Sequence, residues 1–196
     1  IKNVESGNNG VKVGYYRLSN GNFVNPFEYK EGTIIGVVAF FDKNGNPVSI
    51  GVNFKELRWL KIPSHNEISS NISYDKTAED MDGMRHTKDI VSSKDYDPDN
   101  FAAVEYCRNY STEGTKPGDW YMPAIGECVK IAQNILIINI SRSKAGFDTI
   151  YFSYWFWSSS ECSGWTASSV WSCHMSEGSC DGCYGSWVRC VCPCLI

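Results

Sequence analysis

Seven of the chain's nine cysteines fall in its last 35 residues, from Cys162 to Cys194. Thiols at that density suggest metal ligation or disulfide bonding. Cys180-x-x-Cys183 has the spacing of a zinc knuckle, and Cys190, Cys192 and Cys194 follow closely. A knuckle needs a tight turn between its ligands, whereas cysteines two apart on a strand point to one side about 7 Å apart. No second CxxC and no nearby HxxxH completes the set, so no metal or cofactor is assigned. Nine is odd, which rules out complete internal pairing. The rest of the tract fits neither chemistry. Between Ser158 and Trp187, 21 of 30 positions are Ser, Cys, Gly, Asp, Tyr or His, yet Trp165 and Trp171 recur through it.

Other reactive side chains are scattered. His65, His86 and His174 are isolated in sequence and read as ordinary surface or loop residues. Asp80-x-Asp82-Gly83 has the opening of a calcium loop but lacks the further oxygen ligands and closing glutamate, so a solvated turn is expected. Glu127 lies near the start of a helix, where its charge suits the dipole. Neither Glu127 nor Glu161 has a partner acid at a recognisable spacing. Catalytic residues are therefore not assigned.

The elements that must position these groups follow from periodicity. Val11 to Leu18 alternates, turns at Ser19-Asn20-Gly21-Asn22 and resumes at Phe23, a hairpin with a favoured Asn-Gly turn. Thr33 to Phe41 and Val48 to Phe54 form a second hairpin about Asp42 to Asn46. Lys61 to Lys94 loses periodicity and reads as a long irregular excursion. Asp97 and Pro98 are placed to start a helix with Phe101, Val104, Cys107 and Tyr110 on one face. A second helix from Pro123 carries a stripe of Ile125, Cys128, Val129, Ala132 and Leu136. Cys107 and Cys128 sit on those stripes as small buried hydrophobes. Strands return at Trp155 to Ser160 and Val170 to Met175, a turn at Ser176 to Gly178 follows, and Val188 to Leu195 is the final strand. The order of strands, two helices and strands predicts a single α+β domain.

Composition narrows the partners. The net charge of −4 with scattered basic residues offers nothing to a phosphate backbone, so nucleic acid is excluded as a partner. No apolar run reaches the roughly 18 residues of a membrane-spanning helix. An aromatic share of 14% is high and suits β packing or a contact surface. The chain begins at Ile1, and a mature form with its export signal removed is expected.

Three motifs in order carry a likeness: Gly118-Asp119-Trp120-Tyr121-Met122-Pro123 leading to Gly126-Glu127, then Tyr154 to Glu161, then Trp187-Val188-Arg189-Cys190-Val191. With Lys12 to Tyr16, Ile35 to Val38 and Ala102 to Cys107, they resemble the C-type lectin-like proteins of Bacteroides-type surfaces and phages. Those share a fold with formylglycine-generating enzymes. The resemblance covers most of residues 11 to 191. It implies a C-type lectin fold over 33–196, an N-terminal β-hairpin extension over 1–32, and a structural hydrogen-bonding role for Glu161.

In a subset of that family the C-terminal tract is the variable region of a diversity-generating retroelement. Miscopied template adenines there turn asparagine codons into Ser, Cys, Gly, Asp, Tyr or His, the residues seen here over 162–187. Tryptophan does not arise this way, so Trp165 and Trp187 need another template codon or are fixed. The resemblance implies a non-enzymatic protein binding an unknown protein or glycan target, on a bacterial outer surface or a phage particle. Its ligand surface would draw on Cys162, Ser163, Gly164, Trp165, Thr166, Ser168, Ser169, Ser172 and His174. After a constant turn it would continue through Ser179, Cys180, Asp181, Gly182, Cys183, Tyr184, Gly185, Ser186 and Trp187. Strand alternation places Trp171, Cys173 and Met175 inward and Ser172 and His174 outward. Tyr184, Trp187 and Trp165 are the expected anchors. The alternatives are an undiversified surface or pilus-associated adhesin, or a cysteine and copper oxidase. Calcium-dependent sugar binding is unsupported, because neither Glu-Pro-Asn nor Gln-Pro-Asp occurs.

Overall fold

The computed structural model describes residues 6–7, 10–60, 72–162 and 169–196, with Ser169 described by its backbone alone. Among the described residues it is an α+β fold built on two five-stranded sheets. The first contains β1 (Tyr16–Leu18), β2 (Phe23–Val24), β3 (Ile34–Phe41), β4 (Pro47–Gly51) and, from the far end of the chain, β10 (Cys194–Leu195). Their order is β10-β4-β3-β1-β2, antiparallel throughout. Both expected hairpins form. Gly21 takes the left-handed conformation its turn needs (φ 84°). At the second turn the Asp42 carboxylate accepts the Asn44 and Asn46 backbone N–H groups, each at 2.8 Å.

The second sheet contains β5 (Lys55–Arg58), β6 (Trp155–Glu161), β7 (Ser169–His174), β8 (Cys180–Tyr184) and β9 (Val188–Val191) in the order β5-β9-β6-β7-β8. Its neighbours are antiparallel except β6 and β9, which run parallel. Arg142, fully buried, braces the crossing from β4 to β5. Its guanidinium donates to the carbonyls of Gly51 (3.0 Å), Val52 (2.7 Å) and Asp148 (2.7 Å).

Among the described residues four α-helices lie around the sheets: α1 (Gly83–Ser92), α2 (Ala102–Asn109), α3 (Ile125–Gln133) and α4 (Ile135–Lys144), with a short 3-10 helix over Tyr74–Glu79. One core brings Val37, Val48 and Ile50 of the first sheet and Ile125, Cys128 and Ile138 of the helices against Phe156, Trp171 and Cys173 of the second. A second core lies on the other face of that sheet, where Trp157, Val170, Cys183 and Val191 meet Ile90, Phe101, Val104 and Cys107. The second sheet is thus buried on both faces over much of its width. This decides the fate of the polar tract.

Several expectations are corrected. Within the expected excursion Tyr74–Glu79 and Gly83–Ser92 are helical, and in the latter Thr87 and Ile90 make a narrow buried stripe with the partly buried Met84 amid polar neighbours. Residues 61–71 lie outside the described residues. Asp97 and Pro98 form a turn ahead of α2 rather than its first residues, with the Asp97 carboxylate accepting the Asp99 N–H. The helix expected from Pro123 breaks at Asn134 (φ −104°, ψ 5°). The break rotates the face, leaving Leu136 66% exposed while Ile135 and Ile138 turn inward. The final strand is also two, because Pro193 passes the chain from β9 in the second sheet to β10 in the first. Cys190, Cys192 and Cys194 are all buried there.

Candidate binding surface

Strand alternation sets Trp155 and Trp157 of β6, Ser172 and His174 of β7, Asp181 of β8 and Arg189 of β9 on one face of the second sheet. At the end of the sheet beyond Trp157 this face carries a stacked group. Trp155 and His174, directly opposite in register, meet edge to face with ring centroids 4.9 Å apart. The Arg189 guanidinium carbon lies 4.6 Å from the Trp155 ring centroid, 5.5 Å from Trp157 and 5.4 Å from Trp187. Its Nη2 is 3.6 Å from the Asp181 carboxylate. An arginine among three indoles is held in place, and its side chain is only 8% exposed. Beside it, the turn from β8 to β9 exposes Tyr184 (49%), Trp187 (52%) and Val188 (59%).

The eighteen expected surface residues divide. Ser179, Asp181, Tyr184 and Trp187 are exposed, and His174, Cys180, Gly182 and Ser186 are half-buried. Ser172 is corrected: it is fully buried, and its hydroxyl donates to the Asp181 carbonyl at 3.1 Å. It faces away from Trp171 as alternation requires, but that side of the sheet carries the second core. Cys162, Cys183 and Gly185 are buried too, which removes them from any display. Gly182 is tightly placed, since a Cβ there would sit 2.9 Å from the Cys162 sulfur. Ser163, Gly164, Trp165, Thr166 and Ser168 lie outside the described residues, and Ser169 pairs with Tyr184 through its backbone. Trp171, Cys173 and Met175 are inward as expected.

Four contributors were missed by sequence reasoning: Trp155, Trp157, Val188 and Arg189. All stand inside the quoted motifs, but their meeting depends on the pairing of β6 with β9, which no local pattern reveals.

A second constellation is buried behind the sheet. The Glu127 carboxylate accepts the Ala124 N–H (2.8 Å) and the Tyr121 hydroxyl (3.1 Å). The Ser160 hydroxyl donates to the Asp80 carboxylate (2.5 Å) and accepts the Ile125 N–H (2.8 Å). The Ser159 N–H donates to the Pro123 carbonyl at 2.8 Å. These bonds stitch the Met122-Pro123 segment to the Trp-Ser-Ser-Ser-Glu strand. Gly126 is required there, because a Cβ would lie 2.6 Å from the Asp80 carbonyl. Asp80 is thus no solvated turn: its side chain is 6% exposed, and His86 sits 3.5 Å from it. His86, expected at the surface, is fully buried in α1, and burial lowers its pKa against the opposing pull of Asp80. Burial pushes the Glu127 carboxyl up to about 8, with Asp80 and Asp82 adding to the shift. Both Glu127 oxygens are occupied and the side chain is enclosed, so the cluster is built as an anchor.

No protein-family model and no curated protein sequence matches the chain. Among solved structures, a fimbrial protein from Bacteroides ovatus superposes with a TM-score of 0.69 at 13% identity, covering 94% of this chain and 48% of that one. The two proteins share a fold. The chain spans about half the length of that fimbrial protein. At this identity the likeness speaks for the architecture alone. No helix among the described residues is long and apolar enough to cross a membrane.

Proposed function

We propose that this is a non-enzymatic, cell-surface binding protein of adhesin type, whose contact surface is the open end of the second sheet. The observation that carries the reading is the exposed Tyr184, Trp187 and Val188 beside an arginine held among Trp155, Trp157 and Trp187. Aromatic and arginine side chains supply most of the energy at recognition surfaces, because they bury large area at small entropic cost. The fold shared with a Bacteroides fimbrial protein supports a surface role.

The finer reading is a C-type lectin-like frame carrying a tract varied by a diversity-generating retroelement. Its support is the residue alphabet of 162–187 and the hydrogen bonds joining the Met122-Pro123 and Trp-Ser-Ser-Ser-Glu motifs. Burial narrows the varied display to Ser179, Asp181, Tyr184 and their half-buried neighbours. A cysteine oxidase built on Cys162 or Cys190 is disfavoured because burial pushes both thiols up to about 12, leaving little thiolate at neutral pH; Cys180, lowered to about 7, is the exception.

The test is binding of the purified chain to arrays of bacterial surface glycans and surface proteins. Tyr184→Ala combined with Trp187→Ala is expected to weaken any specific binding at least about tenfold, a loss of about 1.4 kcal/mol. Retained affinity in that double variant would place the contact elsewhere. For diversification, the gene should lie near an almost identical template repeat with differences confined to template adenines. Differences spread over all four bases would remove that part of the reading.

A further inference from the structure

Cys173 of β7 and Cys180 of β8 stand directly opposite each other across the hairpin. The next pair toward the turn, His174 and Ser179, is joined by a backbone hydrogen bond from the His174 N–H to the Ser179 carbonyl at 2.9 Å. Hydrogen-bonded and non-hydrogen-bonded pairs alternate along an antiparallel ladder, so Cys173 and Cys180 occupy a non-hydrogen-bonded pair. There the Cα atoms approach to about 4.5 Å and side chains come closest, within the roughly 4.4–6.8 Å that disulfides span. Both side chains point to the face that packs on the main core. Of the nine cysteines, Cys180 alone is not buried, and it lies on the edge strand of its sheet.

We propose that Cys173 and Cys180 form a redox couple that closes to a cross-strand disulfide on exposure to a low-molecular-weight disulfide such as oxidised glutathione. The Cys180 thiolate attacks one glutathione sulfur and releases the first glutathione thiolate. The Cys173 sulfur then attacks Cys180 in that mixed disulfide and releases the second. The chain loses two electrons and two protons, and both appear on the two reduced glutathione molecules. The proximity of the two sulfurs lowers the Cys180 pKa and raises that of Cys173. The outer thiol is therefore the attacking group and the inner one resolves. The closed bond pins the edge strand that carries Asp181 and Tyr184 to its inner neighbour. The couple stands whether or not that surface binds the proposed targets.

The experiment exposes the full chain to graded ratios of oxidised to reduced glutathione, quenches with acid, alkylates in denaturant and cleaves after Glu177, which separates the two cysteines. Mass spectrometry is expected to find the two fragments joined through Cys173 and Cys180, with native alkylation of Cys180 slowed at least about tenfold. In Cys173→Ser, which keeps the hairpin, a stable glutathione adduct on Cys180 should replace the link. A wild-type Cys180 that remains a glutathione adduct or a free thiol across the series would overturn the proposal. So would a bond from Cys180 to the neighbouring Cys128.

Discussion

β7 and β8 are drawn from the same short list of residues, yet one is interior and the other is surface. Along β7, Val170, Trp171, Ser172 and Cys173 are all buried, whereas β8 exposes Asp181 and Tyr184 and half-exposes Cys180 and Gly182. The difference lies in position. β7 has β6 on one side, β8 on the other and a hydrophobic core against each face, while β8 is the last strand of its sheet among the described residues. Small polar residues are tolerated on β7 because they are small and find internal partners. On β8 the same types, the buried Cys183 apart, are partly or fully open to solvent.

One substitution within the tract's own alphabet tests this most severely. Ser172→Tyr must overfill the space facing Trp157 and Cys183 and lose the bond to the Asp181 carbonyl. It is expected to cost about 3 kcal/mol in urea unfolding. A near-neutral outcome would mean that β7 is not closed on that face.

The anchoring of the central strands supplies the second contrast. Glu127 has a folded-state pKa of about 8 against an ordinary 4.5. Its protonated form is therefore favoured on folding, and that stability is present below pH 4.5 and lost as pH rises toward 8. His86 and Cys180, both held below their ordinary values, act in the opposite sense. The informative quantity is the difference between Glu127→Gln and the wild type across unfolding curves at several pH values. The variant should gain roughly 2 kcal/mol or more relative to wild type between pH 4.5 and 8. A constant difference would show that Glu127 titrates normally and that the anchor is open to water.

The smallest effect is expected at the edge. Asp181→Tyr should stay within about 0.5 kcal/mol of wild type, because its side chain is half exposed and its pairing with Arg189 is a weak one. A loss comparable with that at Ser172 would dissolve the distinction between the two strands.

Much of the local structure was legible. Both N-terminal hairpins announce themselves through Asn-Gly and Asp-Asn turn chemistry, and the buried faces of Phe101, Val104 and Cys107 and of Ile125 and Cys128 follow helical spacing. The errors share a cause. α1 was hidden because its apolar contacts are few, and the helix break at Asn134 because nothing local forbids one continuous helix. Ser172 was misplaced because alternation distinguishes two faces without saying whether both are covered. Arg189 was overlooked because its partners come from two other segments.

By itself, then, the sequence determined the α+β class, the hairpins, the amphipathic faces and the unusual alphabet of the C-terminal tract. These follow from backbone preferences and from periodicity within a few residues. Only the tertiary structure decided which of those small polar residues meet solvent, which thiols stand opposite each other, and where the arginine finds its three indoles. Burial and cross-strand pairing depend on which segments become neighbours, and that is settled by the packing of the whole chain.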